Sequence, residues 1–231
     1  MWLEVQTDRV QDINAITQVS ELSYLDCPFN SACRRPTTPP AHAPHRRCGA
    51  RWSGASISIY SLCMHRLIMP DAGRYEDWAT CLREFGDGPM DGSGFEHTPD
   101  LSRAVFAAYL QDRSRWADRA IAPPAGWVHC NFYWIVDTSE ALLGFLAIRH
   151  SLTPHLLEVG GHIGYSVRPS ARNRGVASAA LELGLEKARE LEISPVLLTV
   201  KEDNPASRRV IERCGGRYED SRQGFRRYWC G

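Results

Sequence analysis

The sequence predicts a mixed α/β protein of the α+β kind, with strands and helices alternating along residues 64–231. Two neighbouring patterns carry this prediction. Apolar residues recur every three or four positions in an amphipathic helix, at Ala177, Leu181, Leu185, Ala188 and Leu191. Just upstream, Ile163, Tyr165 and Val167 alternate with smaller or polar residues, as in a half-buried strand that Pro169 ends. A short arginine-rich loop separates the two.

The helices and strands before this strand are predicted from the same two spacings of apolar residues, that of a helix and that of a strand. A strand over Arg66–Met69 precedes a helix over Ala72–Phe85, whose inward face carries Tyr75, Trp78, Leu82 and Phe85. A glycine-punctuated loop over Asp87–Phe95 leads to a second helix over Leu101–Trp116, with Val105, Ala108 and Tyr109 directed inward. Two long apolar runs, Trp127–Asp137 and Ala141–His150, then form a hairpin.

The elements after the central strand, Gly160 to Arg168, complete the alternation. A buried strand is predicted over Pro195–Val200. The next helix begins at Asn204, a good N-cap followed by Pro205, and it ends before Gly215 and Gly216. A strand, loop, helix, strand and helix therefore follow one another over the last third of the chain.

Composition excludes some classes of function. The chain has 231 residues with 27 basic and 27 acidic side chains, which argues against a general nucleic-acid or membrane-surface binder. Acidic residues lie where a signal peptide would need an apolar stretch, and no run reaches bilayer length. We therefore expect a cytoplasmic protein without nucleic-acid or membrane partners.

The first 63 residues differ from the rest of the chain. Cys33–Ala50 is rich in proline, arginine and histidine without any period, which predicts a disordered extension. Met64 is then a candidate native start. A zinc site built from Cys33, His42, His45 and Cys48 is a poor alternative, because their spacing fits no known finger or ribbon. We expect no metal, and free thiols at the eight cysteines.

The loop Arg172–Gly175 suits an anion. The first turn of a helix has unpaired N–H groups and a positive dipole, and a glycine lets the backbone approach a ligand closely. Arg172 and Arg174 add forked donors for phosphate oxygens. The loop lacks the Gly-Lys-Ser/Thr ending of a nucleotide P-loop, so the expected ligand is a pyrophosphate group without magnesium. A solvated surface turn is the alternative interpretation.

The motif "RNRGVA", Arg172 to Ala177, resembles the Arg/Gln-x-x-Gly-x-Gly/Ala signature of the GCN5-related N-acetyltransferases (GNAT family). "EDNPASRRVIERCGG", Glu202 to Gly216, resembles the next motif of that family, and residues 64–231 resemble a bacterial subgroup of predicted acetyltransferases. The resemblance implies the GNAT fold, a central, mixed, mostly antiparallel twisted sheet flanked by helices. It also implies acetyl-coenzyme A (acetyl-CoA) as cosubstrate, while no acceptor is assigned to the subgroup.

The resemblance also carries over the residues that hold the coenzyme. The main chain of the central strand would polarise the thioester and run beside the pantetheine arm, and the arginine loop would hold the pyrophosphate. Asn204 is either a helix cap or a polar contact to the pantetheine arm or to the active site. The implied binding residues are Tyr165, Ser166, Val167, Arg172, Asn173, Arg174, Gly175, Val176, Ala177, Asn204 and Ser207.

The catalytic groups are less defined. A protonated amine needs a general base, for which Glu158 and His162, both predicted to lie on the central strand, are the two candidates. Family spacing puts a tyrosine, the usual proton donor to the leaving thiolate, where this chain has Ile211. Ser207 and Tyr228 are substitute candidates, and solvent is another because thiols ionise near neutral pH.

The function that follows is transfer of an acetyl group from acetyl-CoA to a primary amine, in a small molecule or a peptide, by direct attack. Two alternatives differ in class. One is a pseudoenzyme or sensor that binds the coenzyme without transfer, and the other is a zinc-bearing interaction protein with a residual fold. The oligomeric state stays open, with a homodimer as the candidate assembly.

Overall fold

A computed structural model describes residues 64–231. The expectations on residues 1–63, namely the disordered extension, the start at Met64 and the zinc alternative, lie outside the described residues. The described part contains five α-helices and seven strands. The strands are β1 His65–Ile68, β2 Cys130–Asp137, β3 Leu142–Arg149, β4 Ile163–Val167, β5 Val196–Lys201, β6 Arg217–Arg222 and β7 Phe225–Cys230. The helices are α1 Tyr75–Phe85, α2 Arg103–Ala117, α3 Pro154–Glu158, α4 Val176–Glu190 and α5 Pro205–Arg213.

The strands form two antiparallel sheets. The first has the order β1-β2-β3-β4, and in it Leu146 of β3 pairs with Tyr165 of β4. The second has the order β5-β7-β6, with Thr199 of β5 opposite Arg227 of β7. The predicted fold, a mostly antiparallel sheet flanked by helices, is confirmed, with a division of the strands between two sheets.

Helices cover the first sheet on both faces. The larger apolar core packs α4 against β3, β4, β5 and β7 and includes Leu146, Leu181, Leu198 and Tyr228. A second core packs α1 and α2 against the opposite face, around Trp78, Phe106 and Trp134. Because the larger core includes strands of both sheets, α4 packs across the boundary between them.

Several predicted boundaries shift for local reasons. The central strand begins at Ile163 rather than Gly160, because Gly160 and Gly161 adopt positive φ values of 117° and 61° in a turn. The first predicted helix opens with a 3-10 turn over Ala72–Arg74, where the Asp71 side chain accepts the Gly73 N–H. The helix α3 and the strand β6 are absent from the sequence prediction, since each is short and has no clear apolar period.

The prediction that Ala108 faces inward is wrong. Ala108 is exposed, and the buried residues of α2 are Phe106, Tyr109 and Arg113. Arg113 lies on the buried face of α2, whereas a hydrophobicity pattern places every charged residue on the exposed face. The pattern therefore does not identify the buried face of this helix.

Candidate functional site

The two sheets are joined at one end and separate at the other. The Leu197 carbonyl accepts the His162 N–H at 2.7 Å, and the Thr199 hydroxyl accepts the Gly160 N–H at 2.8 Å. Beyond these contacts β4 and β5 belong to different sheets, without a ladder between them. The crossover helix α4 leads from the end of β4 to the start of β5. A split therefore lies between the strands, and it leads toward the loop after Val167 and the turn after Lys201.

His162 is part of the joint. Its ring Nδ1 accepts a hydrogen bond from the Leu197 N–H at 2.8 Å, and the residue is only 8% exposed. Burial, followed by the nearby positive charge of Arg149, lowers the pKa of His162 to about 4. The ring is therefore neutral near pH 7 and carries its proton on Nε2. In this geometry neither ring nitrogen is open to accept a proton from a substrate.

The loop after β4 has the backbone of an anion site. Asn173 and Gly175 both adopt left-handed conformations, with φ values of 61° and 81°. Gly175 is the N-cap of α4 and supplies no side chain to the first N–H groups of that helix. Alternation of ordinary and left-handed residues is the backbone pattern of the concave N–H clusters, called nests, that bind anions.

Side chains fix this loop from both directions. Glu84 of α1 accepts hydrogen bonds from the Ser170 hydroxyl at 2.7 Å and the Ser170 N–H at 3.2 Å. The Arg172 Nε donates to the Val167 carbonyl at 2.9 Å, which holds the guanidinium against the end of β4. Arg174 is exposed and forms no ion pair with residues 64–231. The loop is thus anchored while its cationic groups remain accessible.

The remaining predicted binding residues divide between the strand and the helix start. Val176 and Ala177 form the first turn of α4, directly after the loop. On β4, the Ser166 hydroxyl is buried and has no hydrogen-bond partner among the described residues. It faces the side of the sheet that packs against α1, since its strand partner is Phe145.

The start of α5 borders the split from the other side. The Asn204 side chain accepts the Ser207 N–H at 3.1 Å, so the capping role of Asn204 is present. The Ser207 hydroxyl is 2.7 Å from the phenol oxygen of Tyr165, which projects from the middle of β4. Burial raises the pKa of Tyr165 far above its usual value, so the phenol keeps its proton. The structure therefore joins Tyr165 and Ser207 in a hydroxyl pair across the gap.

The other candidate proton donors are already engaged. Ile211 is 1% exposed and packs in the larger core, so no phenol occupies that helix position. The Tyr228 phenol is also in the core and donates to the Glu212 carboxylate at 3.0 Å. The Tyr165 and Ser207 pair is consequently better placed than Tyr228 to donate a hydrogen bond to a group in the split.

Glu158 lies at the end of α3 and not on the central strand, because the turn at Gly160 separates them. Its Oε1 accepts a hydrogen bond from Arg222 at 2.8 Å, and Arg222 also donates to Asp220. Asp220 in turn accepts from the buried Arg227 at 3.0 Å. Glu158 is thus tied to the β6–β7 hairpin by one oxygen, while no hydrogen bond to a described residue engages the other.

Sequence reasoning missed several charged residues around the split. Arg149 at the end of β3 donates to the Gly160 and Gly161 carbonyls at 3.2 and 3.1 Å, which stabilises the turn before His162. Arg227 bonds Glu219 and Asp220 while only 4% exposed. Neither contact could be read from the sequence, because each joins residues from different strands or turns without a shared motif.

Among residues 64–231, no group of three or more histidine, cysteine, aspartate or glutamate side chains is arranged to hold a metal ion. Within the same described residues, no helix has the length and apolar character needed to span a membrane.

The split between the sheets, the loop with left-handed residues at a helix start and the flanking capped helix suit an extended ligand with an anionic end. In a comparison with known protein families, the sequence model of the family "acetyltransferase (GNAT) domain" matches residues 72–217, well over half of the chain. The chain belongs to this family and is an acyltransferase. The predicted resemblance is therefore confirmed.

Solved structures show the same fold at low sequence identity. RimL, a ribosomal L7/L12 alpha-N-protein acetyltransferase in complex with coenzyme A, is 17% identical with a TM-score of 0.53, covering 72% of this chain and 93% of that one. MccE, a Microcin C7 self immunity acetyltransferase in complex with acetyl-CoA and AMP, is 12% identical with a TM-score of 0.52, covering 77% and 96%.

A third structure, of mutant forms of the spermidine/spermine N-acetyltransferase SpeG from Vibrio cholerae, is 15% identical with a TM-score of 0.50, covering 72% and 93%. At these identities the likeness concerns the fold. No curated protein matches the chain in sequence.

Proposed function

We propose that this protein transfers the acetyl group of acetyl-CoA to a primary amine, in a small molecule or a peptide, by direct attack of the amine on the thioester. The split that leads from His162 to the nest at Arg172–Gly175 is the observation that carries the proposal. It offers an unpaired strand edge for an extended amide-bearing arm and a cluster of N–H groups and arginines for a pyrophosphate.

The candidate proton acceptor is Glu158 in this proposal. His162 keeps no open acceptor nitrogen, whereas Glu158 has an oxygen that Arg222 does not engage. A general base must reach the amine directly or through one water, and Glu158 is a partly exposed carboxylate beside the turn that leads into β4.

The leaving thiolate would receive its hydrogen bond from the Tyr165 and Ser207 pair. This pair stands in the gap that the coenzyme arm would enter, with its two oxygens 2.7 Å apart. Because coenzyme thiolate is a tolerable leaving group near neutral pH, stabilisation by a hydroxyl donor suffices even without full proton transfer.

The alternative is a coenzyme-binding sensor that transfers nothing, which the burial of Ile211 at the usual tyrosine position favours. Both functions require acetyl-CoA binding, and only one releases free thiol when amines are supplied. The test is therefore titration calorimetry with acetyl-CoA in magnesium-free buffer, followed by thiol release across an amine library.

We expect acetyl-CoA to bind and to raise the melting temperature by mass action, and ATP to give no equal shift. Thiol release with at least one amine would establish transfer. Binding without release across the library would favour the sensor, and equal binding of ATP would refute the coenzyme site.

A further inference from the structure

The carboxylate of Glu84 in α1 holds the turn that precedes the loop Arg172–Gly175. Its Oε2 accepts hydrogen bonds from the Ser170 hydroxyl at 2.7 Å and from the Ser170 N–H at 3.2 Å. Its Oε1 lies 3.7 Å from the Nε of Arg168, with which it forms an ion pair. Both oxygens of one side chain are therefore engaged by the first residues after β4.

This turn has no cap within its own segment. Pro169–Ala171 forms a single 3-10 turn, and the side chain of its N-cap residue, Arg168, makes no capping hydrogen bond. Proline has no N–H, so the N–H of Ser170 is the first donor of the turn that needs a partner. Glu84 supplies the acceptor from another helix, in the role that an N-cap side chain normally has.

The turn sets the start of the proposed pyrophosphate site. Its last residue, Ala171, is 1% exposed and packs in the larger core. Arg172, the first residue of the loop, follows directly. Because Ala171 is enclosed and Ser170 is bonded to Glu84, the backbone enters the loop from a fixed position.

Electrostatics alone disfavours an acid at this place. Glu84 lies in the last turn of α1, where the helix dipole is negative, and it contacts the segment that leads into the proposed pyrophosphate site. A carboxylate close to a bound phosphate weakens binding by charge repulsion. The contacts to Ser170 and Arg168 act in the opposite direction, because they hold the segment in one conformation.

We propose that Glu84 is a positioning residue for coenzyme binding, which makes α1 a part of the coenzyme site. This rests on the proposed function, because it takes the loop Arg172–Gly175 as the site of the acetyl-CoA pyrophosphate. A loop that is already held in its binding conformation loses less conformational entropy when the ligand binds, so affinity rises without a direct contact. Glu84 acts on the coenzyme in this way through Ser170.

Two substitutions separate position from charge. Glu84→Ala removes the charge and both acceptor oxygens, whereas Glu84→Gln removes the charge and keeps one acceptor oxygen for Ser170. Glu76→Ala is the matched control, since Glu76 is an exposed acid of α1 that pairs with Arg103 at the surface. The affinity of the full chain for coenzyme A is measured by calorimetry in magnesium-free buffer. The melting temperature of each unliganded variant shows whether it is folded.

We expect Glu84→Ala to weaken the binding of coenzyme A by about 3- to 30-fold, the loss of an N-cap expressed as a ratio of dissociation constants. Glu84→Gln should restore most of the affinity, and Glu76→Ala should leave it unchanged. If charge alone mattered, both substitutions at Glu84 would strengthen binding to the same extent. Equal or tighter binding by Glu84→Ala would overturn the proposal, as would a Glu84→Gln protein that binds no more tightly than Glu84→Ala.

A double-mutant cycle tests whether Glu84 acts through Ser170. Ser170→Ala removes the hydroxyl that donates to the carboxylate at 2.7 Å. When two side chains act together, the combined fold-change in the dissociation constant is smaller than the product of the two single fold-changes. We expect this result for Ser170→Ala with Glu84→Ala, and a combined effect equal to the product would contradict the role of Ser170.

Failure of this inference differs from failure of the proposed function. A wild-type protein that binds coenzyme A no more tightly than Glu84→Ala does refutes only the role of Glu84. A wild-type protein that binds neither coenzyme A nor acetyl-CoA refutes the proposed coenzyme site and removes the basis of this inference with it.

Discussion

Protonation of His162 should weaken the folded state in mild acid. The ring is neutral in the native protein with a pKa of about 4, against an ordinary value of 6.5 in the unfolded chain. Between these two values the unfolded state binds more protons, so stability is present above pH 6.5 and is lost as the pH falls toward 4. The linkage relation gives a loss of about 2 kcal/mol at pH 5 relative to pH 7.5.

His162→Asn separates this effect from all other titrations. The Asn side-chain oxygen can accept the Leu197 N–H in place of Nδ1, and the amide does not titrate. The variant should therefore lose about 2 kcal/mol less stability than wild type on acidification, which corresponds to a difference of about 4–8 °C in melting temperature for a domain of this size. His155→Asn, at an exposed position in α3, is the matched control.

The measurement is urea unfolding followed by tryptophan fluorescence at pH 7.5 and pH 5.0 for the three proteins. Only the change between the two pH values is compared, because the substitution can also alter stability at neutral pH. If wild type and His162→Asn lose the same stability on acidification, the buried neutral histidine is not the source of acid sensitivity.

Two further outcomes test the binding loop and the base. Replacing both Arg172 and Arg174 by alanine should weaken acetyl-CoA binding by about 2–4 kcal/mol, because two charge-assisted contacts to phosphate are removed. The control is Arg83→Ala at an exposed position of α1, and an unchanged dissociation constant would show that the loop arginines are surface charge. Glu158→Gln should lower turnover about 10²- to 10⁴-fold on an accepted amine, as loss of a positioned base does, with coenzyme affinity unchanged. Full turnover in that variant would exclude Glu158 as the base.

Local patterns predicted the parts of the site that lie close together in sequence. The strand β4, the loop Arg172–Gly175 and α4 are consecutive, and their apolar spacing, glycine and arginines identify them without knowledge of the rest. The N-cap role of Asn204 is equally local, because it accepts the N–H of Ser207 three residues later.

The parts of the site that could not be predicted depend on contacts between residues that are far apart in the sequence. The partner of His162 is the N–H of Leu197, 35 positions away, and this bond turns a candidate base into part of the sheet joint. The contact of Gly92 with Gly164 and the hydrogen bond from Arg113 to Gly94 depend on the packing of a loop and a helix onto the sheet. No spacing rule covers such pairs, so these contacts emerge only from the fold.

The joint at His162 and Leu197 also bears on self-association. The outer edge strand β6 has the sequence RYEDSR, and a charged edge resists pairing with strands of other molecules. The inner edge strand β5 begins VLLTV and has high β-propensity with no charge until Lys201. While the joint holds, this apolar edge stays opposite β4. Solutions of the protein should therefore be most prone to fibril-like aggregation under the mildly acidic conditions that loosen the joint, well before the chain unfolds as a whole.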